Sequence, residues 1–559
     1  MPLMGAFYVG VSGLQTSQNA LNTTAHNLAN IDTTGYTRQQ VYQGDRRSES
    51  IGQNYNNNLQ VGMGVAYSDV RAVRDFFMDR QYRTDAGRAA YYTTSYEAIQ
   101  EISSLFGETE GIQFQASLQN LRDIMMDLAN NPTDPTIQGE VVSRSQQFLS
   151  HAKSIYGGLV QYQGNLNQQI KDQVDKINEY AEQIAVLNEK ISVVEAGKQE
   201  SANDLRDARD QILDELAAMG RISYKEDLHG MVGVQFEGVD LVKDAHVNKM
   251  EAKILEGDEE SGFYTPVWGS YNDQPVFEGV SYILNSSKTA VETVANPEIS
   301  SQMDTDLGSL KALVMTRGTK NATYKDLKEV DASSPGAPEI NGTRYALTAG
   351  QNFERVSGSS ITMVMAEFDN LVNGIITGVN KLVAEDEAGN RKAKLDDNGL
   401  PVSGEYTPYL FTEVITDKGI GFTTANAQIN KELLRQPTLL NNGFVLSDQS
   451  TDFDTANAIK DLFLNDFETL NPETKTPLNF EEYYIDIVDQ YANFGYGYKN
   501  ASEAQEAALL ATESARQQVM GVSDNEELTK MVRYQNAYNA SSRYFNTVNT
   551  MLDQLLSMI

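Results

Sequence analysis

The stretch that decides the fold is MVRYQNAYNASSRYFNTVNTMLDQLLSMI, which runs from Met531 to Ile559. One row of mainly apolar side chains recurs through it at every seventh position, and a second row follows behind the first. The first row is Met531, Tyr538, Phe545, Leu552 and Ile559, and the second is Tyr534, Ser541, Val548 and Leu555. Two rows with this spacing form one stripe along an α-helix and predict a coiled-coil seam. The stretch therefore predicts a long helix that needs a partner.

A matching pattern lies near the other end of the chain. Its rows are Leu14, Leu21 and Leu28, and Val11, Gln18 and Ala25. Two interpretations are open: both stretches are ordinary amphipathic helices on a globular core, or they pair with each other. Their positions at opposite ends of the sequence favour pairing. The prediction is a chain that leaves a terminal coiled coil, folds its middle as inserted domains and returns.

The composition limits the classes of function. The 559 residues leave room for several domains, because one core rarely exceeds about 250–300 residues. Lys and Arg number 44 against 77 Asp and Glu, a net charge of −33, so we expect neither nucleic-acid binding nor attachment to anionic membranes. The sequence has no cysteine, which excludes disulfides, thiolate metal sites and a cysteine nucleophile.

The first residues, MPLMGAFYVGVSGL, carry no Lys or Arg ahead of their apolar part. This pattern is not that of a cleaved secretory signal. The apolar runs all fall short of the roughly 18 residues that a membrane-spanning helix needs. We therefore expect no membrane insertion, and any export must use a route that leaves the N-terminus uncut.

Long helices dominate the predicted middle of the chain. Asp134 and Pro135 have the residue types of an N-cap and a first helical position. The helix that follows carries Ile170, Ile177, Ile184 and Ile191, and a later one carries Ile361, Phe368, Ile375 and Leu382. Both rows are typical of helices that pack in a bundle core.

A strongly charged helix is predicted over residues 202–216. Its carboxylates and arginines stand at i,i+3 and i,i+4 spacing, so we expect them to pair along the helix surface. A metal site is the less favoured interpretation, since the interleaved arginines already satisfy the carboxylates and no histidine is close in sequence.

The predicted fold class is α+β and multidomain. It has paired N- and C-terminal coiled-coil helices, a core of long bundled helices and inserted β-rich material. Alternating Val232, Val234 and Phe236 and short turn-bounded aromatic runs indicate the strands. The expected domains are a terminal domain in 1–70 and 515–559, a helical bundle in 71–220 and 351–514 with a small excursion at 385–450, and a β-rich outer domain in 221–350.

A recognisable signature follows the first predicted helix. Asn27-Leu28-Ala29-Asn30-Ile31-Asp32-Thr33-Thr34-Gly35-Tyr36-Thr37-Arg38 resembles the N-terminal signature of the bacterial flagellar rod, hook and hook-associated proteins. Residues 521–543 resemble the C-terminal signature of that family. The charged helix at 202–216 is similar to its hook-associated members. Departures are mild: Asp524-Asn525 replaces the usual Leu-Asp, and Ala208 replaces a common Gln.

The resemblance implies a structural adaptor at the hook–filament junction, outside the cell, exported uncut through the flagellar type III channel. It implies four partners: further copies of the chain in a ring, the hook protein, a second junction protein, and an export chaperone on the C-terminal helix. The expected assembly seam comprises Val11, Leu14, Leu21, Leu28, Met531, Tyr534, Tyr538, Phe545, Val548, Leu552 and Leu555. Neither enzymatic activity nor a cofactor or metal is expected.

Two alternatives stay open. The N-terminal signature alone does not separate a rod or hook subunit from a junction protein. An axial protein that carries a cell-wall hydrolase is the second alternative, and it requires a cleft with an acid of raised pKa. The histidines are His26, His151, His229 and His246. They lack metal-ligand spacing, and the sequence contains neither a phosphate-binding glycine loop nor a G-x-S-x-G motif.

Overall fold

The computed structural model describes residues 2–46, 48–54, 57–107, 114–197, 201–255, 261–386, 389–396, 400–414 and 421–557. Its helices are α1 (Pro2–Ala29), α2 (Phe76–Phe106), α3 (Phe114–Asn130), α4 (Pro135–Glu195), α5 (Asn203–Met219), α6 (Ser309–Arg317), α7 (Ala349–Ser357), α8 (Ser360–Ala384), α9 (Lys431–Arg435), α10 (Phe453–Leu464), α11 (Phe480–Met520) and α12 (Asp524–Ser557). The predicted α+β class, built on long helices, is confirmed.

The strands are short and all paired antiparallel. They are β1 (Gln39–Asp45), β2 (Glu49–Asn54), β3 (Asn57–Val61), β4 (Val65–Ala72), β5 (Ile222–Glu226), β6 (Val232–Phe236), β7 (Val239–Lys243), β8 (His246–Val247), β9 (Met250–Lys253), β10 (Thr265–Trp268), β11 (Gln274–Pro275), β12 (Ser281–Leu284), β13 (Val291–Ala295), β14 (Glu339–Ile340), β15 (Thr343–Arg344), β16 (Ala393–Leu395), β17 (Pro401–Tyr406), β18 (Phe411–Glu413), β19 (Ala427–Ile429), β20 (Glu468–Thr469) and β21 (Pro477–Leu478).

The longest helix, α4, begins where its sequence predicts. Asp134 accepts a hydrogen bond from the backbone N–H of Thr136 at 2.7 Å, and Pro135 occupies the first turn. The buried row is Ile170, Ile177, Ile184 and Ile191, each fully inaccessible to solvent. The predicted N-cap and the predicted core face are both confirmed.

Helix α8 lies at the centre of the core. Ile361, Phe368 and Ile375 are fully buried, and so are most residues on its other faces. A helix that is buried on nearly all of its faces is enclosed by protein. Its neighbours include α4 as well as α11, and α11 in turn packs on α2, so the chain does return to the first helices after residue 350, as predicted.

The strands from β5 to β10 do not enclose a core of their own, whereas β12 and β13 help to form a small second cluster around Val291, Val294, Tyr345 and Leu347. The four-stranded sheet β5–β8 packs on α4, where Asn188 donates to the carbonyl of Val232 at 2.9 Å. Phe236 and Trp268 belong to the same hydrophobic core as the helices. Short strands bury too little apolar surface to form an independent core. The core boundary therefore differs from the domain boundary expected at 221.

Helices α2 and α11 connect this core to the chain ends. They run antiparallel, with the hydroxyls of Thr93 and Ser502 at 2.8 Å and Thr512 donating to Asp85 at 2.7 Å. The pair extends from the core to the point where α12 and the first strands begin. This arrangement gives the terminal region a stiff helical support.

Glu367 is one of several acids that are fully buried. Glu367 on α8 is fully buried and accepts a hydrogen bond from Asn471 at 2.9 Å. Gln490 donates to the second carboxylate oxygen of Glu367 at 3.0 Å when its amide is oriented so that both its oxygen and its nitrogen have partners. Burial raises the pKa of Glu367 to about 8, against the lowering effect of these hydrogen bonds. The residue is therefore largely protonated at neutral pH.

The substitution Glu367→Gln should flatten the pH dependence of stability. In the native state Glu367 keeps its proton up to about pH 8, whereas in the unfolded chain it releases that proton above a pKa near 4.5. The stability that the bound proton contributes is therefore fully present below pH 4.5 and is lost as the pH rises through about 8. This difference corresponds to roughly 3–5 kcal/mol in the free energy of unfolding. Denaturant unfolding followed by circular dichroism from pH 5 to 9 measures it. The exposed Glu189→Gln is the control, and parallel curves for wild type and Glu367→Gln would contradict the assignment.

Candidate functional site: the terminal helix pair and its junction

The first and last described helices, α1 and α12, lie antiparallel against each other. Phe7 packs on Phe545 with ring centroids 4.7 Å apart. At the other end of the contact, Asn27 donates to Glu527 Oε2 at 3.1 Å. The partner's number falls along α12 as the number rises along α1, which defines an antiparallel pair. The predicted pairing of the two ends is therefore present within one chain.

The face of α12 toward α1 carries the row expected from the sequence. The half-buried or buried members are Met531, Tyr534, Tyr538, Phe545, Val548 and Leu552. Leu555 follows them but is 46% exposed. Ile559 lies outside the described residues. The intrachain pair therefore uses the predicted C-terminal row as far as Leu552.

The face of α1 toward α12 is a row of small residues, which the sequence analysis missed. Its members, three and four positions apart, are Gly10, Gly13, Ser17, Ala20, Thr24 and Asn27. A Cβ added at Gly13 would lie 2.7 Å from Ser541 Oγ and 3.3 Å from Ser541 Cβ. Because these side chains are so small, the two backbones approach closely. A search for small residues at heptad spacing could have found the row.

The predicted leucine row of α1 flanks that contact. Val11, Leu14, Leu21 and Leu28 are all half-buried. Large side chains at the contact would hold the helix axes about 8–10 Å apart, whereas the small row permits a closer approach. The leucine row is therefore displaced from the intrachain seam, and its role in contacts between subunits stays a prediction.

Asn27 closes the loop that follows α1. Its side-chain amide donates to the carbonyl of Gln39 at 2.8 Å, in addition to Glu527. Its oxygen accepts from the N–H of Gln39 at 2.9 Å and from the hydroxyl of Tyr36 at 2.8 Å. Gly35 supplies the positive φ of +79° that turns the chain before Tyr36. One buried amide thus joins α1, the loop and α12.

The other signature residues have smaller contacts. Asn30 donates from its backbone to the carbonyls of His26 and Asn27 at 3.2 Å and ends the helix. Ala29 and Thr34 are exposed. Tyr36 also contacts the ring of His26, with its hydroxyl 3.0 Å from Nδ1.

Arg38 fastens the loop to the start of α12. Its backbone N–H donates to the carbonyl of Met520 at 2.9 Å, and its guanidinium pairs with Glu526 at 2.9 Å. The backbone N–H of Thr37 donates to Asp207 on α5 at 3.0 Å. The signature therefore fixes the N-terminal loop to both the C-terminal helix and the helical core.

A buried ion-pair network underlies this junction. Asp214 on α5 receives Arg83 from α2 at 2.7 Å and Arg516 from α11 at 2.6 Å. Burial lowers the pKa of Arg83, but the carboxylates of Asp214 and Asp210 outweigh it and raise that pKa overall. One carboxylate thus ties three helices together.

A third arginine, Arg74, completes the network. Arg74 pairs with Asp79 and with Asp210, both at 2.7 Å, and reaches Asp207 at 3.3 Å. Burial raises the pKa of Asp207 to about 6, although the hydrogen bond from Thr37 and the charge of Arg74 lower it. Among the described residues, no ion pair joins two members of α5. The prediction of pairing along its surface was wrong, because the acids face neighbouring helices.

The described residues hold no cluster of three or more His, Cys, Asp or Glu side chains that could bind a metal ion. In that same part of the chain, no helix is both long and apolar enough to cross a membrane.

The substitution Asn27→Ala should loosen the junction. It leaves the backbone groups of Gln39 unpaired and removes one partner of buried Glu527, at about 1–3 kcal/mol for each orphaned group. We expect amide hydrogen exchange at Gln39 to accelerate at least about tenfold. The matched control, Asn22→Ala, changes an exposed position of the same helix. Equal exchange in the two variants would show that Asn27 does not hold the loop.

Comparison with known proteins places these features in a family context. Residues 99–281 match the family described as "Flagellar hook-associated protein FlgK helical domain". Residues 7–37, which span α1 from Phe7 and most of its loop, match "Flagella basal body rod protein".

Relatives match over nearly the whole chain. Flagellar hook-associated protein 1 of Bacillus subtilis (strain 168) is 24% identical over 97% of this chain and 96% of its own length. The protein of the same name from Escherichia coli (strain K12) is 23% identical over 98% of each chain. That of Salmonella typhimurium is 25% identical over 98% of each.

Among solved structures, the flagellar hook junction protein FlgK from Burkholderia pseudomallei is similar over 60% of this chain and 46% of its own, with 18% identity and a TM-score of 0.38.

Proposed function

We propose that this chain, which is similar to flagellar hook-associated protein 1 over nearly its full length, is a structural adaptor subunit of the bacterial flagellum that joins the hook to the filament side. The observation that carries the proposal is the similarity over nearly the full length of both chains. A match confined to α1 and its loop would fit rod and hook subunits equally well.

The terminal pair supplies a physical mechanism for assembly. Its seam buries few large side chains, and most of α12 beyond the seam is exposed. Helices with so little buried surface are marginally stable by themselves. We propose that they are loose during export through the narrow flagellar channel and become fixed when neighbouring subunits cover the half-buried leucine row of α1.

The proposed partners are those that the resemblance to the flagellar hook-associated proteins implies. Copies of the chain would lie side by side through heterologous contacts in a ring, between the hook protein and a second junction protein. The helical core would form the wall outside the terminal pair. The protein would act outside the cell after export without a cleaved signal.

An export chaperone is proposed to cover α12 before assembly. The exposed Leu528, Val532 and Leu555 give that helix an apolar surface that favours association. A peptide of residues 520–559 should recover the chaperone from cells that make flagella, and recovery of nothing would count against it.

One observation supports the hydrolase alternative: Asp207 lines a cleft and has a raised pKa. Its two oxygens are already engaged, one by the N–H of Thr37 and the other by Arg74. A general acid must be free to reach the substrate oxygen. The geometry therefore favours a structural role for Asp207.

Electron microscopy of cells that lack the gene, with flagellin assayed in the medium, tests the proposal. We expect hooks of normal length without filaments, and flagellin lost to the medium. Absent hooks would move the protein to the rod or hook, and normal filaments would reject a junction role.

A further inference from the structure

A large cleft opens beside the junction, between the start of α2, helix α5 and strand β5. Its volume is about 1140 Å³. Eight cationic and six acidic side chains line it, although acids outnumber bases 77 to 44 in the whole chain. Most of these cations are already paired, some of them with acids outside the lining such as Asp79 and Asp214, so the available positive charge of the cleft lies on its unpaired side chains, which attract acidic partners.

The mouth of the cleft exposes two neighbouring aromatic rings. Phe76 is 66% exposed and Phe77 is 73% exposed. Covering these rings would remove apolar surface from water, and adjacent exposed aromatics are typical of interaction surfaces. Arg80 and Lys225 stand at the same mouth and form no ion pair with any described residue.

The floor of the cleft holds arginine nitrogens without hydrogen-bond partners. Arg83 is 4% exposed and its Nη1 has no acceptor among the described residues; Arg209 is 1% exposed and its Nε has none. A buried guanidinium N–H without an acceptor is costly. These nitrogens are inaccessible to solvent and lie beyond a partner's reach, but the unpaired cations at the mouth call for a carboxylate-bearing partner with an apolar side chain.

A surface of matching chemistry lies on α11 of the same protein. Tyr496, Glu503 and Leu510 follow one another at intervals of seven and so share one face of the helix. All three side chains are more than 60% exposed, and Glu503 has only a distant partner, Lys499 at 3.9 Å. This face combines an acid with two large apolar groups, as the cleft requires.

We infer that the cleft receives the Tyr496–Glu503–Leu510 face of a second copy of this chain. The inference rests on the proposed function, which sets copies side by side. In the contact, Phe76 and Phe77 pack against the apolar members of the face, and Glu503 lies between Arg80 and Lys225. The cleft thereby fixes the lateral spacing of subunits outside the terminal helix pair.

Cross-linking in assembled flagella tests the contact. Phe77 is replaced by the photo-cross-linking residue p-benzoylphenylalanine in the full chain, flagella are irradiated, and products are identified by mass spectrometry. The expected product is a dimer of this chain linked within residues 496–510. The control places the same residue at exposed Leu400, outside the cleft.

Every other product overturns the inference. A dimer linked elsewhere, a link to a different protein, or no link from a subunit that is present in the flagellum removes the cleft from this contact and leaves the proposed function intact. Absence of the unmodified protein from flagella would instead reject the proposed function.

Charge exchange gives a second, independent test. The exposed substitutions Arg80→Glu and Glu503→Arg should each lower the dimer yield about fivefold, and together they should restore it. Both variants should melt like wild type, since neither position is buried. Loss of the dimer in the double variant would contradict a direct contact between the two residues.

Discussion

Deletion of residues 531–559 should yield cells with normal hooks and no filaments, while the rest of the chain stays folded. The main hydrophobic core ends at Tyr491, so the deletion removes none of its buried residues. It does remove the partner of the small-residue row on α1. The purified variant should keep the core's cooperative unfolding, as measured by circular dichroism.

Export and docking can be separated in this experiment. Deletion could block export if a chaperone binds α12, so purified protein is added to isolated hooks and its binding is measured directly. The control deletion, residues 556–559, lies beyond the seam and should bind like wild type. Binding of the 531–559 deletion at the wild-type level would mean that the helix pair is not the docking element.

The substitution Gly13→Leu should be nearly as damaging. Its Cβ alone would lie 2.7 Å from Ser541 Oγ, which can rotate away, but the remaining leucine atoms would enter the body of α12. Leucine favours helix over glycine by almost 1 kcal/mol, so loss of helicity cannot explain a defect. We expect the helices to separate and filament attachment to fall at least about tenfold, since overpacking costs about 1–3 kcal/mol or more.

Two variants serve as controls for the Gly13→Leu prediction. Gln15→Leu introduces the same side chain at an exposed position of α1 and should attach filaments normally. Gly13→Ala combined with Ser541→Gly should also attach filaments normally, because the larger side chain on α1 is matched by a smaller one on α12. Equal filament counts in Gly13→Leu and wild-type cells would show that the close approach of α1 and α12 is unnecessary.

The sequence was sufficient where apolar periodicity determines packing. The isoleucines of α4, the central helix α8 and the α12 row to Leu552 are all placed as their spacing predicts. The caps that start helices were equally readable, because Asp134 and Pro135 act through local hydrogen bonding and a fixed φ.

The sequence was insufficient where packing depends on small or charged side chains. Hydrophobic periodicity passes over Gly10, Gly13 and Ser17, so it selected the leucine row of α1 instead. The acids of α5 stand at the spacing of intrahelical pairs, yet burial gives them partners from α2, from α11 and from Arg74, which precedes α2. The spatial neighbours of a charge depend on tertiary structure, which spacing along one helix does not contain.

The most direct test of the central claim is a disulfide between α1 and α12 in working flagella. Gly13→Cys and Ser541→Cys place the only two cysteines of the chain with Cβ atoms about 3.3 Å apart, close to the disulfide range of about 3.5–4.5 Å. After oxidation of assembled flagella, we expect an intrachain bond, seen as a faster-migrating monomer, and retained filaments. Dimers joined through these cysteines, or free thiols in assembled protein, would contradict it.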